Sequence, residues 1–78
     1  SCRMKIKIWP NPFQDKIQIE LPNDTKYRLI NIQGQVVLYG FSESSKIIEL
    51  NLANIDSGMY YVIFESDLKR SAIPIVKR

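Results

Sequence analysis

Side chains that could carry acid–base or nucleophilic chemistry are scarce in this 78-residue sequence. It contains no histidine, one cysteine (Cys2) and eight carboxylates. Without histidine, a histidine-activated nucleophile and a Cys/His zinc site are excluded, and the lone cysteine excludes an internal disulfide. Every carboxylate falls in a turn or on the polar side of an alternating segment: Asp15, Glu20, Asp24, Glu43, Glu49, Asp56, Glu65 and Asp67. Because none is placed to be desolvated as a general acid, we expect no enzymatic activity, cofactor or metal.

The distribution of charge argues against a nucleic-acid partner. Lysine and arginine total 11 against 8 acidic residues, for a net charge of +3, but they are scattered along the chain. The densest run, Arg3-Met4-Lys5-Ile6-Lys7, is typical of a strand with lysines on its solvent face, which discourages edge-to-edge pairing. Domains that bind nucleic acid instead gather basic residues into a stripe with interleaved aromatics.

The composition is that of one small folded domain. Hydrophobic residues make up 45% and charged residues 24%, which is ordinary for a globular chain. No segment approaches the roughly 20 apolar residues of a membrane-spanning helix, and the N-terminus lacks the apolar region of a signal peptide. We expect residues 1–3, with Cys2, to be a tail or linker end of a longer chain, and residues 4–78 to form a single domain.

The elements that must position any functional residue are strands, because apolar residues recur with a period of two. Turn signals separate the alternating segments; Pro22-Asn23-Asp24 ends one, and Gln33-Gly34 reverses the chain into a hairpin, with glycine free to adopt positive φ. Residues 40–45 read as a polar loop. Seven strands are predicted, at residues 4–8, 16–21, 26–32, 35–39, 48–52, 59–66 and 71–76.

Seven short strands with regular turns predict an all-β fold, and one corner favours an immunoglobulin-like antiparallel β-sandwich. In such sandwiches a tyrosine near the start of the sixth strand donates its hydroxyl to upstream backbone. Tyr60 is the candidate, and Gly58 supplies the unusual backbone dihedral that the corner requires. Pro74 cannot donate to a ladder, so the last strand is expected at a sheet edge or bulged.

Four motifs occur in order between residues 8 and 78. They are Trp9-Pro10-Asn11-Pro12-Phe13, Asn31-Ile32-Gln33-Gly34-Gln35-Val36-Val37, a corner from Leu52 that ends in Ser57-Gly58-Met59-Tyr60-Tyr61-Val62, and an apolar last strand closing in Lys77-Arg78. Together they resemble the C-terminal sorting domain of the type IX secretion system of Gram-negative Bacteroidetes. Members of that family open with an aromatic-Pro-Asn-Pro box, carry a Gly-Gln-x-Val hairpin and a Leu-x-x-Gly-x-Tyr-like corner, and end in a basic last strand.

The resemblance implies a non-catalytic address label. A cargo fused at the N-terminal side reaches the periplasm by its own signal, and the outer-membrane translocon then recognises the label. A sortase-like protease cuts just upstream of the domain, and the cargo is released or stays at the cell surface. The implied partners are therefore the cargo, the translocon and the protease. The scattered charge predicts no nucleic-acid partner, and an exposed edge strand predicts weak self-association.

The resemblance also singles out motif residues. The last strand is the favoured recognition element, because an edge strand offers unpaired backbone groups to a partner. Removing Ile75–Arg78 is then expected to block export and leave the domain folded. The proline box is equally open to a structural and a recognition role, whereas the glycine turn and the corner are explained mainly by folding. The residues are Trp9, Pro10, Asn11, Pro12, Phe13, Gly34, Gln35, Gly58, Tyr60, Ile75, Val76, Lys77 and Arg78.

Two other functions remain open at this point. An immunoglobulin-like module of a secreted enzyme could bind carbohydrate or another surface if aromatic side chains form a coplanar platform, and the candidates are Trp9, Phe13, Tyr39 and Phe41. A passive spacer would need none of these residues, and any sandwich of similar size could replace it.

Overall fold

The structure, a computed structural model, describes residues 6–44, 46–67 and 69–78. Seven strands account for most of this part of the chain, and it contains no helix long and apolar enough to cross a membrane. In chain order the strands are β1 (Lys7–Trp9), β2 (Lys16–Leu21), β3 (Thr25–Asn31), β4 (Val36–Ser42), β5 (Lys46–Asn51), β6 (Gly58–Glu65) and β7 (Arg70–Lys77).

The strands form two antiparallel sheets, which confirms the predicted all-β sandwich. One sheet has three strands in the order β1-β2-β5, and the other has four in the order β4-β3-β6-β7. The predicted hairpin of the third and fourth strands is present as the β3–β4 pair. The last strand lies at the edge of the larger sheet and pairs with β6 without a register shift, so Pro74 occupies an edge position, as expected.

The core lies between the sheets and follows the period-two pattern. In β2, for example, Ile17, Ile19 and Leu21 are buried while Lys16 and Glu20 are exposed. Burial of such side chains is the main favourable term in folding. The buried core cluster consists of Phe13, Ile17, Ile19, Leu21, Leu29, Leu52, Tyr60, Val62, Phe64 and Ile75.

Two predicted strand boundaries need comment. The expected start of the first strand at Met4 lies outside the described residues, and among them β1 begins at Lys7. The predicted polar loop at residues 40–45 is wrong at its start, because β4 continues through Gly40 to Ser42. The Tyr27 ring on the neighbouring strand occupies the space where a Cβ at position 40 would lie, so this glycine belongs to the sheet.

Candidate functional site

Three of the four sequence motifs meet at the C-terminal end of β7. Phe13 forms an isolated parallel bridge with Lys77, and Gly58 lies opposite Lys77 in the β6–β7 ladder. The Gly34-Gln35 turn follows Asn31, the last residue of β3. Asn31 lies opposite Tyr60 on β6, which in turn lies opposite Ile75 on β7, so the turn is at the same end of the sheet but two strands away from β7. The structure thus brings the proline box, the corner and the last strand together, without the glycine turn.

Asn11 in the proline box takes the place of a neighbouring strand along the edge of β7. Its amide Nδ2 donates to the carbonyl oxygen of Pro74 at 3.2 Å, and its Oδ1 accepts from the amide of Val76 at 3.1 Å. A paired strand would supply one donor and one acceptor at these two groups in the same way. The side chain of Asn11 therefore closes a stretch of sheet edge with a single residue.

Phe13 extends this closure with its backbone. Its amide donates to the carbonyl oxygen of Val76 at 2.9 Å, and its own carbonyl accepts from the amide of Arg78 at 2.8 Å. The Phe13 side chain is 1% exposed and lies in the core between the sheets. Its burial holds the box against β7, because moving the box away would expose a large aromatic ring to water.

Lys77 fastens the end of β7 to the corner between β5 and β6. Although charged, it is only 8% exposed. Its ammonium donates to the carbonyl oxygens of Leu52 at 2.8 Å, Ala53 at 3.2 Å and Ile55 at 2.5 Å. A lysine ammonium has three N–H donors, so all of them are used by backbone acceptors, which offsets the cost of burying the charge.

The corner itself confirms the predicted role of Tyr60. The Tyr60 hydroxyl donates to the carbonyl oxygen of Asp56 at 2.7 Å, and the side chain is buried. Gly58 has φ of +141°, a region that side chains other than glycine's rarely adopt, as the sequence predicted. The corner thereby presents its carbonyl oxygens in the fixed positions that the Lys77 ammonium reaches.

The Gly34-Gln35 turn is organised by a residue that the sequence did not single out. Gly34 has the expected positive φ, +86°. Asn31 Oδ1 accepts from the amides of Gln33 and Gln35, and Asn31 Nδ2 donates to Gln35 Oε1 at 2.9 Å. Asparagine before a turn is a known stabiliser of this kind, so this signal was present in the sequence.

The last four residues alternate between the core and the surface. Ile75 is fully buried and Lys77 is nearly so, whereas Val76 and Arg78 expose their side chains. In the proline box, Trp9, Pro10 and Pro12 are exposed. We call the exposed set Trp9, Pro10, Pro12, Val76 and Arg78 the terminal patch.

An open hollow of about 450 Å³ adjoins the terminal patch. Its lining includes Pro10, Pro12 and Arg78 together with Asp15 and Lys16, so it offers two cations, one carboxylate and proline rings. Across the described residues, no group of three or more histidine, cysteine or acidic side chains could hold a metal ion. The hollow therefore combines charged and apolar groups at the surface beside the terminal patch.

One sequence-based expectation about this region is wrong. The C-terminal half of β7 was expected to offer unpaired backbone groups, but those of Pro74, Val76 and Arg78 are bonded to Asn11 and Phe13. The expectation that the domain stays folded without residues 75–78 remains a prediction, and the structure argues against it, because the truncation deletes a core residue, Ile75, and the bonds of Lys77.

The four aromatic candidates for carbohydrate binding do not lie on one surface. Phe13 is buried, and Trp9 lies on β1 in the three-stranded sheet. Tyr39 and Phe41 are both exposed and lie two positions apart on β4, so they share one face of the other sheet. Carbohydrate binding stays a prediction that depends on this pair.

Comparison with known proteins identifies the family. The family model for the secretion system C-terminal sorting domain matches residues 7–78, nearly the whole chain. No curated protein matches the sequence. The motifs that meet at the end of β7 and this match lead to one conclusion: the chain belongs to the family of type IX secretion C-terminal sorting domains.

Proposed function

We propose that the domain carries its cargo from the periplasm across the outer membrane by presenting the terminal patch to the type IX translocon. That a sorting domain marks a fused N-terminal cargo for export to the cell surface or the medium follows from the family. The proposal adds which part of the domain is recognised. In this role the domain is a signal and a substrate and has no catalytic part.

The observation that carries the proposal is the set of hydrogen bonds that hold the last strand, β7, in place. Asn11, Phe13 and Lys77 together fix the backbone from Pro74 to Arg78. Val76 and Arg78 are consequently held in place beside the exposed proline rings. A partner that docks on a preorganised surface avoids the entropic cost of ordering it. The expected partner surface is apolar opposite Val76 and the prolines, and acidic opposite Arg78.

The proposal includes a processing step. After export, a sortase-like protease cuts the chain just upstream of the domain, at or before the tail of residues 1–3, and the domain from residue 4 onward is removed as one unit. Two features favour an upstream cut. The box is hydrogen-bonded to β7, and Phe13 is in the core, so cleavage within residues 11–13 would require local unfolding.

Export of a transplanted cargo tests the recognition surface. Residues 1–78 are fused behind a fluorescent protein that carries a periplasmic signal, in a bacterium that has this secretion system. Arg78→Glu and Val76→Glu are compared with two control variants, Lys69→Glu and Ile47→Glu. The controls change exposed residues of the same types away from the terminal patch. Thermal unfolding of each purified domain shows that the variants are folded.

The outcomes separate the proposal from its alternatives. We expect the two patch variants to trap fluorescence in the periplasm while both controls are exported like the unchanged domain. Export of all four variants would overturn the role of the terminal patch without affecting the family assignment. Export by an unrelated sandwich in place of residues 4–78 would support a passive spacer instead. Trapping of even the unchanged fusion would overturn the proposal that residues 1–78 suffice as a signal.

A further inference from the structure

The two sheets have four edge strands, and three of them carry devices that prevent pairing with another chain. On β7, Pro74 lacks an amide donor, and Asn11 and Phe13 occupy the remaining length toward Arg78. The β5 sequence contains Lys46 and Glu49, and β1 is only three residues long and begins with Lys7. Charges, proline and short length are the usual means of protecting a sheet edge.

The fourth edge strand, β4, lacks the charges, the proline and the short length, and its pairing with β3 shifts register at Val37, near the start of the strand. Its sequence, VVLYGFS, contains no charged residue and no proline over seven residues. Its solvent-facing side chains are large and apolar; Tyr39 is 81% exposed, and Val36, Val37 and Phe41 are exposed as well. An exposed apolar edge strand of this length is a template for pairing with another strand.

We propose that β4 is a self-association surface, through which two copies of the domain pair their β4 strands in antiparallel orientation about a twofold axis at Tyr39. The two four-stranded sheets then become one continuous sheet of eight strands. This partner is favoured over others because the strand is complementary to itself. The proposal is independent of how the terminal patch functions.

The register explains that self-complementarity. With Tyr39 opposite its own copy, Phe41 lies opposite Val37, the position where β4 shifts register against β3, and the strand brings no charged residue into the pairing. Aromatic and β-branched residues in facing positions are favourable cross-strand pairs. Arg28, which lies opposite Tyr39 in the β3–β4 ladder, donates to Glu65 on β6 at 3.0 Å, so its charge is paired on the side away from β4.

The dimer would leave the terminal patch accessible. In the order β4-β3-β6-β7, β4 and β7 are the two opposite edges of the same sheet. A copy added at β4 extends the sheet away from β7, so each dimer would present two terminal patches.

Sedimentation of the 78-residue chain tests the proposal, at concentrations from about 10 µM to about 1 mM, where a small interface is expected to associate. The test variant is Tyr39→Lys, which sets two lysines opposite each other. The matched control is Ile32→Lys, because Ile32 is 72% exposed but lies in the β3–β4 turn outside the strand. We expect dimers for the unchanged chain and the control, and association weakened about tenfold or more by Tyr39→Lys.

Cross-linking tests the register. In a Cys2→Ser background, Tyr39→Cys places two thiols at the twofold axis, where facing Cα atoms are about 4.5–5.5 Å apart, which is within the range that a disulfide spans. Oxidation is expected to link Tyr39→Cys copies and not Ile32→Cys copies. A monomer at every concentration, a dimer that Tyr39→Lys does not weaken, or equal linking at both positions would each overturn the proposal.

Discussion

At the scale of single residues, the most informative side chains are those whose polar groups bond the backbone of distant residues. Tyr60 could be assigned from the sequence because its partner lies only four residues upstream, at Asp56. Asn11 and Lys77 could not, because their partners are 63 and 65 residues away for Asn11 and between 22 and 25 for Lys77. Such bonds depend on how the two sheets are placed, and strand periodicity carries no information about that.

Tyr60→Phe tests the corner at this scale. The change removes only the hydroxyl and leaves the carbonyl oxygen of Asp56 without its donor. We expect the free energy of unfolding to fall by about 1 kcal/mol or more, measured by chemical denaturation. Tyr39→Phe removes the same group from an exposed position and is the control, with no change expected. An equal denaturation midpoint for Tyr60→Phe and the unchanged domain would contradict the bond.

At the scale of elements, the number of strands and their positions along the chain could be predicted. How the sheet edges are closed or protected could not. All seven predicted strands are present among the described residues, because each has alternating apolar residues and a turn signal at its end. The end of β4 was misplaced because glycine, serine and glutamate are typical of loops. The Tyr27 ring occupies the space where a Cβ at position 40 would lie, so this strand position requires glycine, and only the pairing of β3 with β4 brings the two residues together.

Asn11 offers a test of the idea that one side chain replaces a strand. Asn11→Ala removes the acceptor for the Val76 amide, so hydrogen exchange of that amide is expected to become about tenfold faster. Asn11→Asp keeps an acceptor oxygen for the Val76 amide but loses the donor to the carbonyl oxygen of Pro74, so exchange of the Val76 amide should be slower than in Asn11→Ala. Asn23→Ala, at an exposed turn position, is the control. Unchanged exchange in Asn11→Ala would show that Val76 does not depend on this side chain.

At the scale of the whole molecule, the sequence predicted a sandwich but not which strands share a sheet. Alternation gives each strand one buried face, and this alone requires two layers. The division into β1-β2-β5 and β4-β3-β6-β7 and the junction between the layers depend on long-range contacts. At that junction Lys77, in the four-stranded sheet, bonds Leu52, the residue that follows the last strand of the other sheet.

Lys77→Met tests this junction, since methionine has a similar shape but no donors. Loss of the ammonium would remove its three bonds to the carbonyl oxygens of Leu52, Ala53 and Ile55, at a cost of about 2 kcal/mol. For a domain of this size we expect the thermal midpoint to fall by about 10 °C in a single cooperative transition. Lys16→Met, at an exposed position, should change the midpoint by much less. A midpoint unaffected by Lys77→Met would show that the junction does not stabilise the fold.

The position of β7 in the chain has a further consequence. Ribosomes make this strand after every other part of the domain, yet the proline box and the corner are both anchored to it. A nascent or truncated chain that stops before Val76 therefore has the box and the corner but lacks the bonds that join them to β7. We expect that only a chain translated through this final strand displays the surface by which we propose it is exported.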